Sequence, residues 1–373
     1  MESQPPLDSR AIVFTEIEAM GGAERSALAL SSWLQQRGLA HHFVTYIDHI
    51  DLATYSDHPI TMVQLRPEMR ATKKIAALRK YFRSRPVGAP PALMSGFQPA
   101  LHATLAGVRG FHCLMHDTPS LFEDAHALTS KGKFRRWASD KIVAHGLRSG
   151  GHTIVTSDYL RDETARVYRV QPDIARMGGL THATAFRQRT VTSQLRMFSV
   201  SRIESNKRID WMLHALSEMQ RDPTPLSSRV DWSLDIAGRG AQMEAMQSLA
   251  AQLGLAQRVH FCGFVTDTEL ENLYAGAHLF LMPALQGYGI PAIEALSRGV
   301  PVLLHRQSGV SDILLATPWA TVIDGGEEGM LPGLRKAIDA AISGAHLNAP
   351  LPALPTVDEW AERVATLCGW TRA

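Results

Sequence analysis

The second half of the chain alternates short apolar runs with amphipathic stretches, and this alternation constrains the fold more than any other feature. Five apolar runs have the length and composition of strands, namely Met197–Ser201, Trp232–Ala237, Val259–Cys262, Leu279–Met282 and Pro301–Leu304. Four helical stretches lie between them, at Asp210–Met219, Ala241–Leu253, Thr268–Ala275 and Ala292–Arg298. Such alternation predicts a parallel sheet covered by helices on both faces.

The first half shows the same alternation less clearly. Ala11–Thr15 is predicted as a strand, Ala23–Gln36 as an amphipathic helix and His42–Ile47 as the next strand. Together they make one strand–helix–strand unit. Phe111–Met115 and Thr153–Thr156 continue the series of apolar runs, so we expect a second α/β sheet here.

Chain length predicts two domains, because 373 residues are more than usually fold around a single hydrophobic core. The polar, irregular stretch Thr181–Leu195 is interpreted as the linker between them. We therefore expect an N-terminal domain over residues 1–185 and a C-terminal domain over residues 186–356. The tail Val357–Cys368 is predicted to form a final amphipathic helix.

Composition indicates a soluble, globular protein. Hydrophobic residues make up 45% and charged residues 20%, and no uncharged apolar run is long enough to span a membrane. The polar N-terminus lacks the apolar segment of a secretory signal, so we expect a cytoplasmic protein. Cys113, Cys262 and Cys368 are far apart, which argues against disulfides and a zinc site, and we interpret all three as buried apolar residues.

Positive charge is concentrated in the first half of the chain. Residues 1–185 contain 22 Lys and Arg against 17 Asp and Glu, whereas residues 186–373 contain 16 against 19. Residues 66–85 alone contain eight Lys and Arg and one acidic residue, Glu68. A second basic stretch, 131–148, opens with the sequence KGKFRRW.

These basic stretches have two interpretations. With Met69, Ile75, Leu78 and Phe82, the first has the pattern of a basic amphipathic helix, which could dock on an anionic membrane carrying a lipid-linked acceptor. The alternative is an ordinary solvated helix face. Nucleic acid is not expected as a partner, because no recognisable binding module is present.

The residues that directly follow each predicted strand are the candidate site residues, because open α/β sheets bind ligands beyond the carboxyl ends of their strands. Gly21 and Gly22 follow the first strand and open a helix, where backbone N–H groups could approach a phosphate, or they could simply form a tight turn. Arg202 and Lys207 follow Met197–Ser201. Two cations in such a loop could bind a diphosphate, or they could simply be solvated surface residues.

Three further positions follow predicted strands. Gly238 begins a GxG turn that lacks the third glycine of a dinucleotide fingerprint, so a close strand–helix turn is the alternative to ligand binding. Glu294 lies one turn into a helix and could accept hydrogen bonds from ribose hydroxyls, or could be a surface residue that complements the helix dipole. His116 follows Phe111–Met115 and is either an acid/base or positioning group or part of a turn.

Taken together, these residues resemble the retaining glycosyltransferases of family 4, which have the GT-B fold. The resemblance covers nearly the whole chain and is most specific from Phe198 to Asp312. The features that carry it, in the family's order, are Gly21–Glu24, Ser201-Arg202 with Lys207, Gly238-Arg-Gly240, Val259–Phe264, the block Gln286–Glu294, Gly299-Val-Pro-Val and Glu359-Trp-Ala.

The resemblance implies a GT-B fold, in which two Rossmann-like domains face each other across a cleft and a C-terminal helix, about 357–373, packs back on the N-terminal domain. It implies retaining transfer of a hexosyl unit from a UDP- or GDP-sugar to a glycan or lipid-linked saccharide, in polysaccharide or lipopolysaccharide-type biosynthesis. The donor would bind the C-terminal domain and the acceptor the N-terminal one. The expected location is cytoplasmic, with peripheral membrane contact as an option.

The resemblance also assigns roles to residues. Arg202 and Lys207 would stabilise the departing diphosphate, Glu294 would hold the ribose, and His116 would lie near the transferred sugar. Phe264 would lie near the base. The predicted catalytic residues are thus His116, Arg202, Lys207 and Glu294, and the predicted donor-binding residues are Gly21, Gly22, Gly238, Phe264, Gln286, Gly287, Tyr288, Gly289 and Ile290.

Gln286 departs from the family pattern, which has a glutamate at this position. An amide keeps the size and hydrogen-bonding ends but loses the charge, so a non-catalytic nucleotide-sugar-binding protein is the alternative function. No Asp-x-Asp sequence is present, and Asp267 is interpreted as the N-cap of the helix that begins at Thr268. We therefore expect neither a metal nor another cofactor, with the nucleotide sugar as co-substrate.

Overall fold

The structure, a computed structural model, divides into two compact units. The N-terminal unit comprises Met1–Leu180 and Pro355–Ala373, and the C-terminal unit comprises Thr181–Leu354. The residues that the structure describes are 9–68, 70–119, 129–180, 186, 189–222 and 230–371.

The N-terminal unit contains a seven-stranded parallel sheet with strand order β5-β3-β1-β6-β7-β8-β9. Its strands are β1 (Arg10–Val13), β3 (His41–Thr45), β5 (Met62–Gln64), β6 (Leu93–Ser95), β7 (His112–Leu114), β8 (Thr153–Val155) and β9 (Asp173–Ile174). A separate two-stranded pair is formed by β2 (Glu16–Ile17) and β4 (Ile47–Asp48).

The helices of this unit are α1 (Gly22–Gln36), α2 (Ala71–Ser84), α3 (Phe97–Leu105), α4 (Ser130–Leu147), α5 (Asp158–Tyr168) and, near the chain end, α11 (Val357–Leu367). Apolar side chains of the sheet and helices form one buried core, which includes Val13, Val44, Met94 and Leu147. Strands β1, β7 and β8 are buried along their whole length, as expected for a parallel sheet covered on both faces.

The C-terminal unit contains a six-stranded parallel sheet with strand order β12-β11-β10-β13-β14-β15. Its strands are β10 (Gln194–Val200), β11 (Asp231–Ala237), β12 (Val259–Gly263), β13 (Leu279–Met282), β14 (Val302–His305) and β15 (Ala320–Ile323). Its helices are α6 (Ile209–Arg221), α7 (Met243–Gln252), α8 (Asp267–Gly276), α9 (Ile290–Ser297) and α10 (Met330–Ser343). Met197, Leu234, Leu281 and Ile338 lie in its core.

Both sheets have a point where the strand order reverses. In the N-terminal unit the chain winds outward in both directions from β1 and β6, and in the C-terminal unit from β10 and β13. The two loops that leave neighbouring strands at such a point run in opposite directions and open a crevice, where α/β proteins bind ligands. The fold prediction of two Rossmann-like α/β units is confirmed.

The C-terminal helix α11 belongs to the N-terminal unit. It begins with a capping box, in which the Thr356 hydroxyl accepts a hydrogen bond from Glu359 N at 3.1 Å and the Glu359 carboxylate accepts one from Thr356 N at 2.9 Å. After the helix, the buried Trp370 donates its indole N–H to the Pro91 carbonyl oxygen at 3.1 Å. The Trp370–Pro91 contact fastens the last residues to the unit formed by the first half of the chain.

Three local predictions are wrong. The interpreted linker Thr181–Leu195 extends too far, because Gln194 and Leu195 already pair with β11, and its residues 181–185 and 187–188 lie outside the described residues. Thr266, not Asp267, caps α8, since its hydroxyl accepts from Glu269 N at 3.3 Å. Cys262 is exposed, because β12 is an edge strand with one face open to solvent.

Among the described residues, no helix is both long enough and apolar enough to cross a membrane.

Candidate functional site

The loops after β10 and β13 meet where the strand order of the C-terminal unit reverses. Asn206, in the first loop, ties them together through Leu285 in the second. The Asn206 carbonyl oxygen accepts from Leu285 N at 2.8 Å, and the Asn206 side-chain amide donates to the Leu285 carbonyl oxygen at 3.0 Å. The two loops are therefore fixed relative to each other in the absence of any ligand.

Lys207 and Gln286 contact each other across this point. The Lys207 ammonium donates a hydrogen bond to Gln286 Oε1 at 2.7 Å. The Gln286 side-chain nitrogen donates to Ser308 Oγ at 3.1 Å and lies 3.0 Å from Met282 Sδ. These partners turn the carbonyl end of the amide toward the cation. Sequence reasoning predicted both residues as site residues, and the structure brings them together.

The loop that contains Gln286 is also held by the segment after β14. The Gln286 carbonyl oxygen accepts from Gly309 N, and the Tyr288 carbonyl oxygen accepts from Val310 N, both at 3.1 Å. Gly289 has a φ of 130°, and a Cβ atom there would lie 2.5 Å from Met282 Cε. The close packing of this loop therefore requires a glycine at 289. Gly287 and Tyr288 are buried in the same loop, and Ile290 is the first residue of α9.

Arg208 is a site residue that sequence reasoning missed. Its backbone lies in the left-handed region, with a φ of 54°, which is costly for a residue with a side chain. The guanidinium lies 4.2 Å from the centre of the Trp211 ring and donates to the Pro283 carbonyl oxygen at 3.4 Å and to Gln307 Oε1. Arg208 thus connects the segments that follow three strands. The available signal was a second cation directly after Lys207.

Arg202 does not join this cluster. Its side chain is 67% exposed and pairs with the Glu204 carboxylate at 2.9 Å. An exposed ion pair of this kind contributes little to stability and is easily exchanged for another anion. The predicted contact of Arg202 with a diphosphate stays a prediction.

Glu294 is buried, with 6% of its surface exposed. Its carboxylate accepts a hydrogen bond from the Tyr274 hydroxyl at 3.0 Å, and the buried Arg298 donates to its carbonyl oxygen at 2.9 Å. Burial, together with the neighbouring carboxylate, raises the pKa of Tyr274 well above its ordinary value, so the phenol stays protonated as a donor. The alternative of a surface glutamate is wrong. A ribose would have to share the carboxylate with Tyr274.

Gly238 and Gly240 are explained by packing alone. A Cβ atom on Gly238 would lie 1.8 Å from the Ser201 carbonyl oxygen, and one on Gly240 would lie 2.3 Å from that of Ile203. The close strand–helix turn, which was the alternative to ligand binding, therefore accounts for both glycines. Neither glycine needs a ligand to explain it.

Phe264 lies at the carboxyl end of β12 with 69% of its surface exposed. The Arg239 guanidinium, after β11, lies 5.7 Å from the centre of its ring. An exposed aromatic ring beside a cation offers a flat surface on which a nucleobase could stack. This position agrees with the role that the resemblance assigns to Phe264.

In the N-terminal unit, His116 lies two residues beyond β7. Its Nε2 atom is 3.0 Å from the hydroxyl of Ser95, the last residue of the neighbouring strand β6. Burial lowers the pKa of His116 below its ordinary value, and Asp117 opposes this effect only in part, so the ring is neutral at pH 7. A neutral imidazole at the end of a strand can accept a proton or position a hydroxyl group.

The two glycines before α1 differ from each other. Gly21 N donates to the Glu24 carboxylate at 3.0 Å, so this N–H group already has an anionic partner. A Cβ atom on Gly22 would meet nothing within 4 Å, and its φ is not positive. The fold therefore does not require glycine at 22. Its small size leaves the N-terminus of α1 open to a ligand.

Within the described ranges, no three His, Cys, Asp or Glu side chains are grouped so that they could hold a metal ion.

Sequence comparison finds one family model and several relatives. Residues 183–331 match the family model described as glycosyl transferases group 1. One relative is a GDP-mannose-dependent alpha-(1-6)-phosphatidylinositol monomannoside mannosyltransferase of Mycolicibacterium smegmatis. The chain is 31% identical to it over 164 residues, and this alignment covers 39% of the chain and 41% of the relative. The chain is 34% identical over 120 residues to the serotype-specific mannosyltransferase WbdA of Escherichia coli, covering 32% of the chain and 14% of the relative.

The chain thus spans less than half the length of these relatives. Superposition on solved structures, by contrast, covers far more of the chain. The crystal structure of WaaG, a glycosyltransferase involved in lipopolysaccharide biosynthesis, superimposes with a TM-score of 0.71 at 18% identity, covering 96% of this chain and 99% of that one. At this identity the likeness establishes the fold. Residues 183–331 therefore resemble the group 1 glycosyltransferases, in a chain that has the GT-B fold.

Proposed function

We propose that the protein is a retaining glycosyltransferase that moves a hexosyl unit from a UDP- or GDP-sugar to a glycan or lipid-linked saccharide, in polysaccharide or lipopolysaccharide-type biosynthesis. The observation that carries the proposal is the Lys207–Gln286 contact at the strand-order reversal, within the residues that match the group 1 glycosyltransferase model. The names of the two mannosyltransferase relatives favour mannose, and one of them favours GDP-mannose, as the first donor to test.

Lys207 is the residue on which the chemistry depends. Transfer breaks the bond between the anomeric carbon and a phosphate oxygen and leaves negative charge on the nucleoside diphosphate. A cation fixed at the departing oxygen stabilises this charge more in the transition state than in the ground state. Lys207 is already fixed by Gln286, and Arg202 can join once it exchanges Glu204 for the diphosphate.

Other residues of the C-terminal unit would bind the donor. The loop 286–290 would contact the sugar and the diphosphate, and Phe264 and Arg239 would contact the base. Glu294 would accept hydrogen bonds from the ribose while it keeps the hydrogen bond from Tyr274. In the N-terminal unit, His116 would position the transferred sugar and Gly22 would leave room for the donor. A metal ion is not needed in this scheme, because the charge is met by basic side chains.

Gln286 favours a second candidate function. Its amide carries no charge, so it cannot stabilise positive character at the anomeric carbon as a carboxylate would. Its nitrogen is turned toward Ser308 and Met282. A protein that binds a nucleotide sugar without transferring the sugar would have such a site.

Peripheral contact with an anionic membrane is also proposed, through residues 66–85 and 131–148. The structure changes how this contact would work. In α2, Leu78 is 2% exposed and Ile75 and Phe82 pack on the core, so the apolar face of this helix is already used, and Met69 lies outside the described residues. In α4, by contrast, Phe134 is 65% exposed and Trp137 is 56% exposed.

Sedimentation with anionic liposomes tests the membrane contact. We expect binding that weakens with salt, and that falls when Phe134 and Trp137 are both changed to Ser. Unchanged binding by this double variant would remove α4 from the contact. No binding at moderate salt would overturn the membrane proposal and leave the solvated-face interpretation.

The proposed function is tested by a thermal-shift panel with GDP, UDP, dTDP and their common sugar conjugates, with and without magnesium and with EDTA. A ligand that binds the native state raises the melting temperature by mass action. We expect a shift with one nucleotide that does not depend on metal. Product formation with that donor and a saccharide acceptor then separates the two candidates. Donor binding without turnover on any acceptor favours the binding protein, and no shift with any nucleotide overturns both.

A further inference from the structure

A cavity of about 650 Å³ opens on the N-terminal unit, away from His116. It is lined by the end of α2, by residues that precede β6 and by the turn that precedes β7. These segments lie at the amino ends of the parallel strands, whereas His116 and Ser95 lie at the carboxyl ends. The cavity is therefore on the opposite edge of the sheet from the site residues of this unit.

Four arginines line this cavity, namely Arg79, Arg83, Arg85 and Arg109, and no acidic residue does. The sequence shows how unusual the surroundings are, because residues 69–116 contain eight Lys and Arg and no Asp or Glu. Within the described part of the chain, none of the four arginines forms an ion pair. Among the residues that the structure describes, four positive charges thus share one cavity and no acidic side chain lines it.

Two of the guanidinium groups are held in place by main-chain carbonyls. Arg79 donates to the carbonyl oxygens of Leu105 and Ala106, both at 3.0 Å. Arg85 donates to that of Pro90 at 2.8 Å. Carbonyl acceptors fix the direction of a guanidinium but leave its charge unneutralised, so these groups are oriented before any ligand arrives.

The other two arginines are exposed and sit beside them. Arg83 has an exposed side chain on the last turn of α2, and Arg109 donates to His145 Nε2, which carries no negative charge when it accepts. Burial lowers the pKa of Arg85, because the charged form of this half-buried side chain is less well solvated than that of an exposed arginine. A bound anion would compensate Arg85 for this lost solvation.

The rest of the lining is apolar. It includes Phe82, Val108, Phe111, Pro86 and Pro91. A bare inorganic ion would leave this surface unused, whereas a ligand with a phosphate at one end and an organic part at the other would use both. The volume suits a small molecule or a single headgroup.

We propose that this arginine cavity binds the phosphate group of a phosphorylated small molecule, at a site separate from the nucleotide-sugar site of the C-terminal unit. Forked guanidinium groups match the oxygens of a phosphate in geometry and in charge. The phosphate can be carried by a soluble metabolite or by a phospholipid headgroup. Both sources present the same chemistry to the cavity.

The test measures binding of pyrophosphate and of inorganic phosphate to the full chain by calorimetry at low salt. The decisive variant combines Arg83→Ala with Arg109→Ala, two exposed side chains whose loss leaves the fold intact. The matched control combines Lys336→Ala with Arg363→Ala, which removes the same charge from exposed positions on α10 and α11, outside both the cavity and the proposed membrane contact. We expect pyrophosphate to bind the decisive variant at least about tenfold more weakly, and the control within about twofold of the wild type.

A third variant, Lys207→Ala, separates this site from the proposed donor site. Pyrophosphate binding that survives Lys207→Ala but not the double arginine change supports the cavity, whether or not the protein transfers sugar. Binding that is lost only with Lys207→Ala, or that falls equally in the control, overturns the proposal.

Vesicles containing phosphatidic acid, whose headgroup is a phosphomonoester, form the second arm. Binding to these vesicles that the arginine variant loses and the control keeps supports the lipid source, and binding to soluble phosphate alone supports the metabolite source. No binding in either arm overturns the proposal.

Discussion

The two units arrange the loops at their strand-order reversals in different ways. In the C-terminal unit the loops after β10 and β13 are cross-linked by Asn206, Lys207 and Arg208. In the N-terminal unit the described contacts are shorter in range, since Ser95 reaches His116 after the next strand and Gly21 contacts Glu24 within its own helix. The Asn206 and Lys207 contacts of the first arrangement join residues 79 positions apart, whereas those of the second join residues 21 and 3 positions apart.

This difference agrees with the division of labour that we propose. A donor site that acts on one reacting bond gains from fixed geometry. An acceptor site must suit one particular saccharide, and its contacts come from loops that vary more easily. The family model matches residues 183–331, which lie in the unit whose loops are tied together.

The largest effect is expected from Lys207→Ala. Product formation should fall about 10²- to 10³-fold, because a fixed charge at the departing diphosphate is lost. The free energy of unfolding should fall by only about 1–2 kcal/mol, because Gln286 Oε1 loses its donor while the core is unchanged. Lys336→Ala, at an exposed position of the same unit, is the control and should leave the rate unchanged. A rate near that of the wild type in Lys207→Ala would show that the rigid loops do not form the reaction site.

The second effect concerns pH and the stability of the N-terminal unit. Burial lowers the pKa of His42 and of His112 from 6.5 to about 4, and both lie in this unit. The folded state therefore favours the neutral rings. Their stabilising effect is complete above pH 6.5 and is lost as the pH falls toward about 4. For His42 alone the loss is of the order of 3 kcal/mol.

Hydrogen exchange measured separately for the two units between pH 7 and pH 4 checks this expectation. Amides of the N-terminal unit should lose protection first as the pH falls, and His42→Gln should flatten the dependence. Loss of protection in the C-terminal unit at the higher pH would reverse this part of the comparison.

Arg208→Gly should separate activity from stability. Glycine adopts a φ of 54° without strain, so the free energy of unfolding should stay within about 1 kcal/mol. Product formation should fall about tenfold, because the loop loses the guanidinium that joins Pro283 and Gln307 and is held less precisely. Arg169→Gly is the matched control, because Arg169 has a φ of 55° in the N-terminal unit. Equal rates for both variants would show that Arg208 has no positioning role.

The smallest effect is expected from Gln286→Glu. A carboxylate beside Lys207 should raise the rate of transfer a few-fold, if charge is what the site lacks. The change also removes the donor to Ser308, whose own hydroxyl already donates to the Tyr288 carbonyl oxygen, so stability should fall by about 1 kcal/mol. Steady-state rates and urea unfolding measure both. An unchanged rate would mean that position 286 does not limit transfer and that the rigidity of its loop matters more than its charge.

Much of the C-terminal unit could be predicted from the sequence. Leu279–Met282 is a strand with the bounds that its apolar run predicts, and the residues after each strand lie where a parallel sheet requires. The N-terminal unit was harder, because its strands are short. β5, β6 and β9 have two or three residues each, too few for a periodic signal.

The sequence by itself determined the alternation of strands and helices, and with it the edge of the sheet where a ligand would bind, because these depend on the local spacing of apolar residues. Only the tertiary structure decided which side chains meet. Lys207 and Gln286 are 79 positions apart, and β10 and β13 become neighbours only through the order of strands in the sheet. The burial of Glu294 was likewise decided by Tyr274 and Arg298 packing on it. A side chain's exposure and partners depend on neighbours that the fold supplies, and local sequence does not contain them.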